Sequence, residues 1–334
     1  MKISFRAMEE ADVAPLLAFS TQMFGAGEHQ SRGDYIDWLY RENPHARGLG
    51  DAILAVADGG IVGVVHRMVL PCVGPDGPNT LLSLQNHVVT PDLRGGAGIM
   101  LLRHASHNAL TFSPGVHGRL TEVYRRLGYL ELPSFWMTKV LRPIRGGAQY
   151  ALHRVGLAGA AKTPGVDLAK VQRAVRGHAL VSASPGAETL AGLADAMNAQ
   201  GEAAGGWRVA WTADSLRWRF FSPQGPRHIL VKGDADWAIL SIGQRGGLTI
   251  SRLIERGGED PRFMKTVFAA AGAMGASVAM TFSTLRAFRD LHLAQGWRMR
   301  DDPPTSFASG AQMISASAAA GDFGFESFGV EIRG

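Results

Sequence analysis

Val88-Val89-Thr90-Pro91-Asp92-Leu93-Arg94-Gly95-Gly96-Ala97-Gly98-Ile99 is the stretch on which the fold turns. The apolar, β-branched run Leu81 to Val89 reads as a strand, and Pro91 ends it. A glycine-rich turn follows, and a helix is expected from Gly98 to Leu110. Small residues at a helix N-terminus let successive backbone N–H groups point into one concavity, the geometry of a pyrophosphate cradle. Arg94 would add a charge-assisted bond to a phosphate. A plain tight turn has the same composition, so the neighbouring segments must decide between the two.

Upstream, Asp12 to Phe24 has helical apolar spacing at Val13, Leu16, Leu17 and Phe24 after an acidic start. Ala52 to Ala57 and Ile61 to Leu70 are strand-like runs around Asp58-Gly59-Gly60, a tight hairpin turn. Pro71 to Thr80 is expected to be a Pro/Gly-rich loop. Downstream, Leu110 to Ser113 reads as a strand and Arg119 to Leu127 as a helix. In the second half, Ile229 to Lys232, Trp237 to Gln244 and Leu248 to Glu255 make a β-meander, and helix Asp260 to Gly275 leads into strand Ser277 to Ser283. Met264 to Phe282 is the most apolar window, but Lys265 and the Gly/Ser breaks make it a helix followed by a strand rather than a membrane span.

Three pairs of segments recur in the same order. Asp34 to Tyr40 matches Asp214 to Phe220 at an offset of 180, with Asp, Trp and the final aromatic repeated. Ala109-Leu110-Thr111-Phe112-Ser113 matches Ala279-Met280-Thr281-Phe282-Ser283 at 170, and Leu127-Gly128-Tyr129 matches Gln295-Gly296-Trp297 at 168. Their common order points to a duplicated domain. The expected organisation is a first domain over residues 1–142, a connector over 143–178 and a second domain over 179–334.

A chain of 334 residues suits about two domains, and 46% apolar with 19% charged residues excludes disorder, collagen and coiled coil. Cys72 is the only cysteine, which excludes an internal disulfide framework and a cysteine-rich zinc site. The N-terminus lacks the apolar run of a secretory signal, so a soluble cytoplasmic protein is expected. The net charge of +5 is uneven: Lys139 to Arg176 carries +7, with Asp167 its one acid, and the rest sums to −2. Such a stretch is a solvated connector, or a surface for a phosphate-bearing substrate or an anionic membrane. It has little aromatic interleaving, which argues against a single-strand nucleic-acid platform, and no specific nucleic-acid partner is expected.

Taken together, these elements resemble the GNAT acyltransferase superfamily, whose members move an acyl group from coenzyme A to an amine. The resemblance rests on Ile3-Ser4-Phe5-Arg6 followed by Asp12 and a helix, the hairpin at Asp58, the Val-x-Pro-x-x-Arg-Gly continuation from Val89, and Tyr124-Arg125-Arg126-Leu127-Gly128-Tyr129. It covers roughly residues 3–140 and, more faintly, 205–300. It implies an α/β (α+β) protein of two tandem GNAT-like domains, each a mixed, mostly antiparallel sheet flanked by helices, with the second copy degenerate.

The resemblance also implies acetyl-coenzyme A or another acyl-coenzyme A as co-substrate and a primary amine of a small molecule as acceptor. An amino sugar enters by analogy with bacterial relatives of this layout. Cofactor contacts would come from Val88, Val89, Arg94, Gly95, Gly96, Ala97, Gly98, Ile99 and His117. The Val89 N–H would polarise the thioester carbonyl and Tyr124 would protonate the departing sulfur. The strand carries no carboxylate base, and His87 is the titratable group in its place. Ala97 and Ile99 depart from the family's glycine pattern, Ile99 by crowding the pyrophosphate. Glu122 is expected to be solvated, Trp218 to be core, and Tyr35, Trp38 and Tyr40 to be either core or acceptor-pocket wall.

In the second half, Glu259 and Asp260 would repel a pyrophosphate at the helix start, and His292 stands where Tyr124 would be. That copy is expected to have lost cofactor binding and to complete the acceptor site or brace the first domain. Two other readings fit the same residues: a Fem-like aminoacyl transferase, with the basic connector attracting tRNA, and a non-catalytic GNAT-fold ligand-binding or interaction protein.

Overall fold

The computed structural model describes residues 2–309 apart from 75–76, 94–95, 117, 155–164, 176, 205–206, 246, 259, 284–285 and 302–304. The first part of the chain runs β1 (Ile3–Ala7), α1 (Val13–Phe24), α2 (Gly33–Ile36), β2 (Ala52–Ala57), β3 (Gly60–Gly74), β4 (Gly77–Val89), α3 (Gly96–Ser106), β5 (Leu110–Val116), α4 (Arg119–Arg126), β6 (Leu130–Leu132) and β7 (Phe135–Val140). It continues with α5 (Pro143–Arg154), α6 (Leu168–Ala174), β8 (Leu180–Ser182), α7 (Ala187–Ala204), β9 (Arg208–Val209), α8 (Ala213–Phe221), β10 (His228–Lys232), β11 (Trp237–Arg245), β12 (Leu248–Gly257), α9 (Phe263–Ala273), β13 (Val278–Ser283), α10 (Arg286–Ala294), β14 (Arg298–Met299) and β15 (Thr305–Ser309).

The strands form two sheets of the same design. One has the order β1-β2-β3-β4-β5-β15-β6, with β9 added to β3; the other has β14-β7-β13-β12-β11-β10-β8. In each, antiparallel strands lead through a helix to a parallel partner: β4 pairs β5 in parallel, and β12 pairs β13 in parallel. Each sheet also holds a strand from the other half of the sequence. β15 lies between β5 and β6, and β7 lies between β13 and β14. The compact units are therefore not contiguous in sequence. The first takes the described residues of Met1–Leu132 and Gly205–Gly225 with Thr305–Ser309, and the second those of Pro133–Ala204 and Pro226–Pro304.

Local chemistry accounts for the elements. Asp58 (φ 49°) and Gly59 (φ 80°) both take left-handed backbone, as the two-residue turn between β2 and β3 requires. Asp12 accepts from the Glu9 N–H at the start of α1 and is clamped by Arg6 through two bonds of 2.6 and 2.7 Å. In α9 the stripe Phe263, Met264, Val267, Ala270 and Ala271, continued by Met274 at its C-cap, is buried in the second unit.

Two expectations need correction. Pro71 to Thr80 is not a loop: Pro71–Gly74 and Gly77–Thr80 continue β3 and β4, with Pro71 opposite Thr80 and Gly74 opposite Gly77. β9 pairs β3 at Cys72 and Val73, and the Trp207 ring covers Gly74, so tertiary pairing overrides the Pro/Gly composition. Helix α3 starts at Gly96 rather than Gly98 and stops at Ser106, before Asn108 turns the chain at φ 52°. The most apolar window does resolve into α9 and β13, and no helix among the described residues is long and apolar enough to cross a membrane.

Candidate functional site

Strand β4 carries the organising irregularity of the first unit. Val64 pairs Val88 while His66 pairs Gln85, so Asn86 and His87 oppose Val65 alone. This is a β-bulge, and Asn86 adopts φ 48°, which asparagine tolerates better than most residues. On its other edge β4 pairs β5 only from Leu81 to Ser83, opposite Leu110 to Phe112. Both strands run on, to Val89 and Val116, with no further ladder between them. The sheet is thus split along Gln85–Val89. The Thr90 N–H donates to Val62 O at 2.9 Å, and backbone groups alternate between edges along a strand, so the Val89 N–H points to the split edge.

Helix α3 begins beside this split. Its first turn holds no acid, and the first N–H groups of a helix have no partner within it. Gly96 is exposed with open space where a side chain would be, whereas Ala97 and Gly98 are buried. Ala97 sits in ordinary helical backbone, so its departure from glycine costs no strain there, and Ile99 is half-buried. Arg94, Gly95 and His117 lie outside the described residues.

The bulge sets His87 against the helix, its Nε2 3.0 Å from Gly98 O. A carbonyl only accepts, so Nε2 carries the proton and Nδ1 keeps the lone pair. Burial lowers the His87 pKa and the Gly98 contact opposes that, leaving a neutral imidazole near pH 7. Val89 and Tyr124 belong to one apolar cluster with Leu101, Leu102, Val116 and Phe307.

Tyr124, on α4, is 3% exposed, stacked on Phe307 at 5.0 Å and edge-on to Tyr129 at 4.8 Å. Burial raises its pKa, with the nearby Ser113 hydroxyl in opposition, so the phenol holds its proton throughout the neutral range. Phe307 comes from β15, some 180 residues away in sequence, and local pattern gave no signal for it. On the outer face of α4, Glu122 is exposed and pairs Arg126 at 3.0 Å, as expected.

A polar chain flanks the bulge. Gln30 Nε2 donates to Asn86 Oδ1 (3.2 Å) and Asn86 Nδ2 to the Tyr35 hydroxyl (2.9 Å). The Tyr40 hydroxyl lies 2.6 Å from His66 Nδ1, both residues buried. Sequence reasoning passed over Gln30, Asn86 and His66; an asparagine inside a strand-like run was the available sign of a bulge. Trp38, 4% exposed, is core. It donates to Trp218 O at 3.0 Å, Trp218 Nε1 donates to Trp38 O at 2.5 Å, and the rings stack at 5.6 Å.

The second unit repeats the helix-end construction with different side chains. Tyr129 N–H donates to Tyr124 O at 3.1 Å, and Trp297 N–H to His292 O at 3.1 Å, with Gly128 and Gly296 both left-handed at φ 79° and 77°. His292 is buried, with Nδ1 2.8 Å from Phe288 O, and burial pushes its pKa down to about 4. Asp260 precedes α9, while Glu259 lies outside the described residues. Among the described residues no group of His, Cys, Asp and Glu side chains is arranged to hold a metal ion.

No family model matches the sequence, and no curated protein matches it. Solved structures do. A GCN5-related N-acetyltransferase from Kribbella flavida superposes with a TM-score of 0.59 at 14% identity over 95% of this chain and 73% of that one. A GCN5-related N-acetyltransferase from Anabaena variabilis gives 0.57 at 11% identity, over 95% and 74%. The N-myristoyltransferase of Saccharomyces cerevisiae with bound myristoyl-CoA gives 0.59 at 9% identity, over 92% and 82%. The fold is therefore that of GNAT N-acyltransferases, in a two-sheet arrangement.

Proposed function

We propose that the protein is an acyl-coenzyme A-dependent N-acyltransferase whose working site lies in the first unit, with a primary amine of a small molecule, such as an amino sugar, as acceptor. The observation that carries this reading is the split between β4 and β5 beside the acid-free N-terminus of α3. Acyl-coenzyme A would supply the activated acyl group: the amine forms a C–N bond, the C–S bond breaks, and one proton passes from nitrogen to sulfur. The N–H groups at Gly96–Gly98 suit a pyrophosphate. Val89 N–H, fixed on the split edge, suits the carbonyl oxygen, where a preorganised donor stabilises developing charge.

Tyr124 is the proton donor in this reading, since its raised pKa keeps the phenol charged with its proton until a thiolate needs it. His87 is the base through Nδ1, and Nε2 fixes the ring against Gly98. Because its pKa is lowered, the neutral form persists as pH falls through 6.5 and is lost only below that. The acid limb of kcat/KM is expected below the ordinary histidine range.

Titration with acetyl-coenzyme A and, in parallel, a long-chain acyl-coenzyme A tests the reading. Gly96→Glu fits the open space at that position, so it changes charge at the helix start and not packing. Binding by the parent that weakens tenfold or more in Gly96→Glu supports the cradle. With an amine acceptor, Tyr124→Phe should bind normally and lose 10²–10⁴-fold in turnover. A folded parent that binds no acyl-coenzyme A overturns the proposal.

A further inference from the structure

We infer that the second unit holds a separate binding pocket for a phosphate-bearing ligand, a phosphomonoester or diphosphate, built from Arg142, Lys170 and Arg173. These three line an open surface depression of about 550 Å³ together with Ala174, Ala269 and Ala273. The cations come from the chain entering α5 and from α6, and two of the alanines lie on α9.

Among the described residues no acid lines the depression. Asp167, the one acid between Lys139 and Arg176, caps α6 by accepting from the Lys170 backbone N–H at 3.0 Å. Among the described residues none of the three cations has an ion pair, and their one side-chain hydrogen bond is a long contact from Arg173 Nε to Ala169 O at 3.3 Å. Helix ends explain part of this. The Arg142 guanidinium lies over Gly272 near the C-terminus of α9, and Arg173 is in the last turn of α6, both favourable to the helix dipoles.

The dipoles explain neither Lys170 nor the hollow. Alanines at three lining positions leave open a space that larger apolar side chains would fill. Three unpaired cations around an acid-free hollow match the charge and the acceptor oxygens of a phosphate group.

Two sources carry that group, a soluble phosphorylated molecule and an anionic lipid headgroup. The lipid source draws on α5, which follows Arg142 and exposes Ile144 (90%), Tyr150 (50%) and Leu152 (48%).

The full chain is titrated with inorganic pyrophosphate at fixed ionic strength, and co-sedimented with vesicles of phosphatidylcholine alone or with phosphatidic acid added. Lys170→Gln/Arg173→Gln removes two charges, and Ala269→Phe fills the hollow while keeping all three. Both variants are checked for folding by thermal melts. Pyrophosphate binding that weakens about tenfold or more in each variant supports the pocket. If phosphatidic acid vesicles recruit the parent and both variants lose recruitment, the phosphate is lipid-borne; pyrophosphate binding without recruitment makes the source soluble. Acetyl-coenzyme A affinity at the first unit should be unchanged by Lys170→Gln/Arg173→Gln. A folded parent that binds neither probe, or binding indifferent to Ala269→Phe, overturns the inference. Recruitment that survives both variants does so too.

Discussion

His66 and His292 are buried imidazoles in the first and second units, and burial pushes their pKa values down to about 3 and about 4. An unfolded chain protonates both near 6.5. Between 6.5 and those lowered values the unfolded state binds protons that the folded state refuses, so stability falls as pH drops through 6.5 and keeps falling toward 4 and 3. Urea unfolding at pH 7, 6 and 5 should show this loss. His292→Leu should flatten the slope by about one proton, roughly 1.4 kcal/mol per pH unit. An unchanged slope would mean that His292 ionises freely in the folded protein. Cys72, by contrast, needs no such test, because burial pushes its thiol up to about 12 and leaves it unreactive.

At the scale of elements, the π-helical turn Asp37–Arg41 that follows α2 meets α8 through a reciprocal contact between two tryptophans 180 residues apart. Each indole N–H satisfies the other residue's carbonyl, and Ser222 donates to Glu42 at 2.6 Å at the same offset. Trp218→Phe removes one donor and orphans one buried carbonyl, at a cost of about 1–3 kcal/mol. Trp38→Phe should cost a similar amount. The double variant should cost less than the two combined, a coupling that denaturant melts of the four proteins can read. Independent, additive losses would show that the two bonds do not depend on each other.

The same pair marks how far the sequence could be read. Both tryptophans were visible as a repeat, since periodic punctuation survives in a linear string. That they touch was not visible, because contact across such a distance leaves no local trace. The strands on either side of Asp58 were legible from alternation and turn chemistry. The β4–β5 split was not, because it depends on where a ladder stops, and residues on both sides of the stop are equally strand-like. Tyr124 was legible by motif, its Phe307 floor was not, and His87 gained its orientation only once the Asn86 bulge was seen.

For the whole molecule, the exchanged strands make each sheet depend on both halves of the sequence. Residues 1–142 alone would leave β5 and β6 without β15, and residues 143–334 would leave β13 and β14 without β7. Exposed unpaired edges invite aggregation. Each fragment expressed alone should therefore be insoluble or unfolded, and co-expression should recover a soluble pair that co-purifies. A fragment 1–142 with a cooperative melt of its own would show that β15 is dispensable.

The exchange also sets a timetable for the nascent chain. β6 ends at Leu132, yet its neighbour β15 begins at Thr305. At about 5–20 residues per second, a ribosome needs roughly 10–30 s to make the residues between them. During that interval β5 and β6 wait with open edges, and the two sheets are completed only once β14 and then β15 have emerged. The first unit, though first to be made, cannot be first to finish folding, and its birth is the period in which a chaperone would matter most.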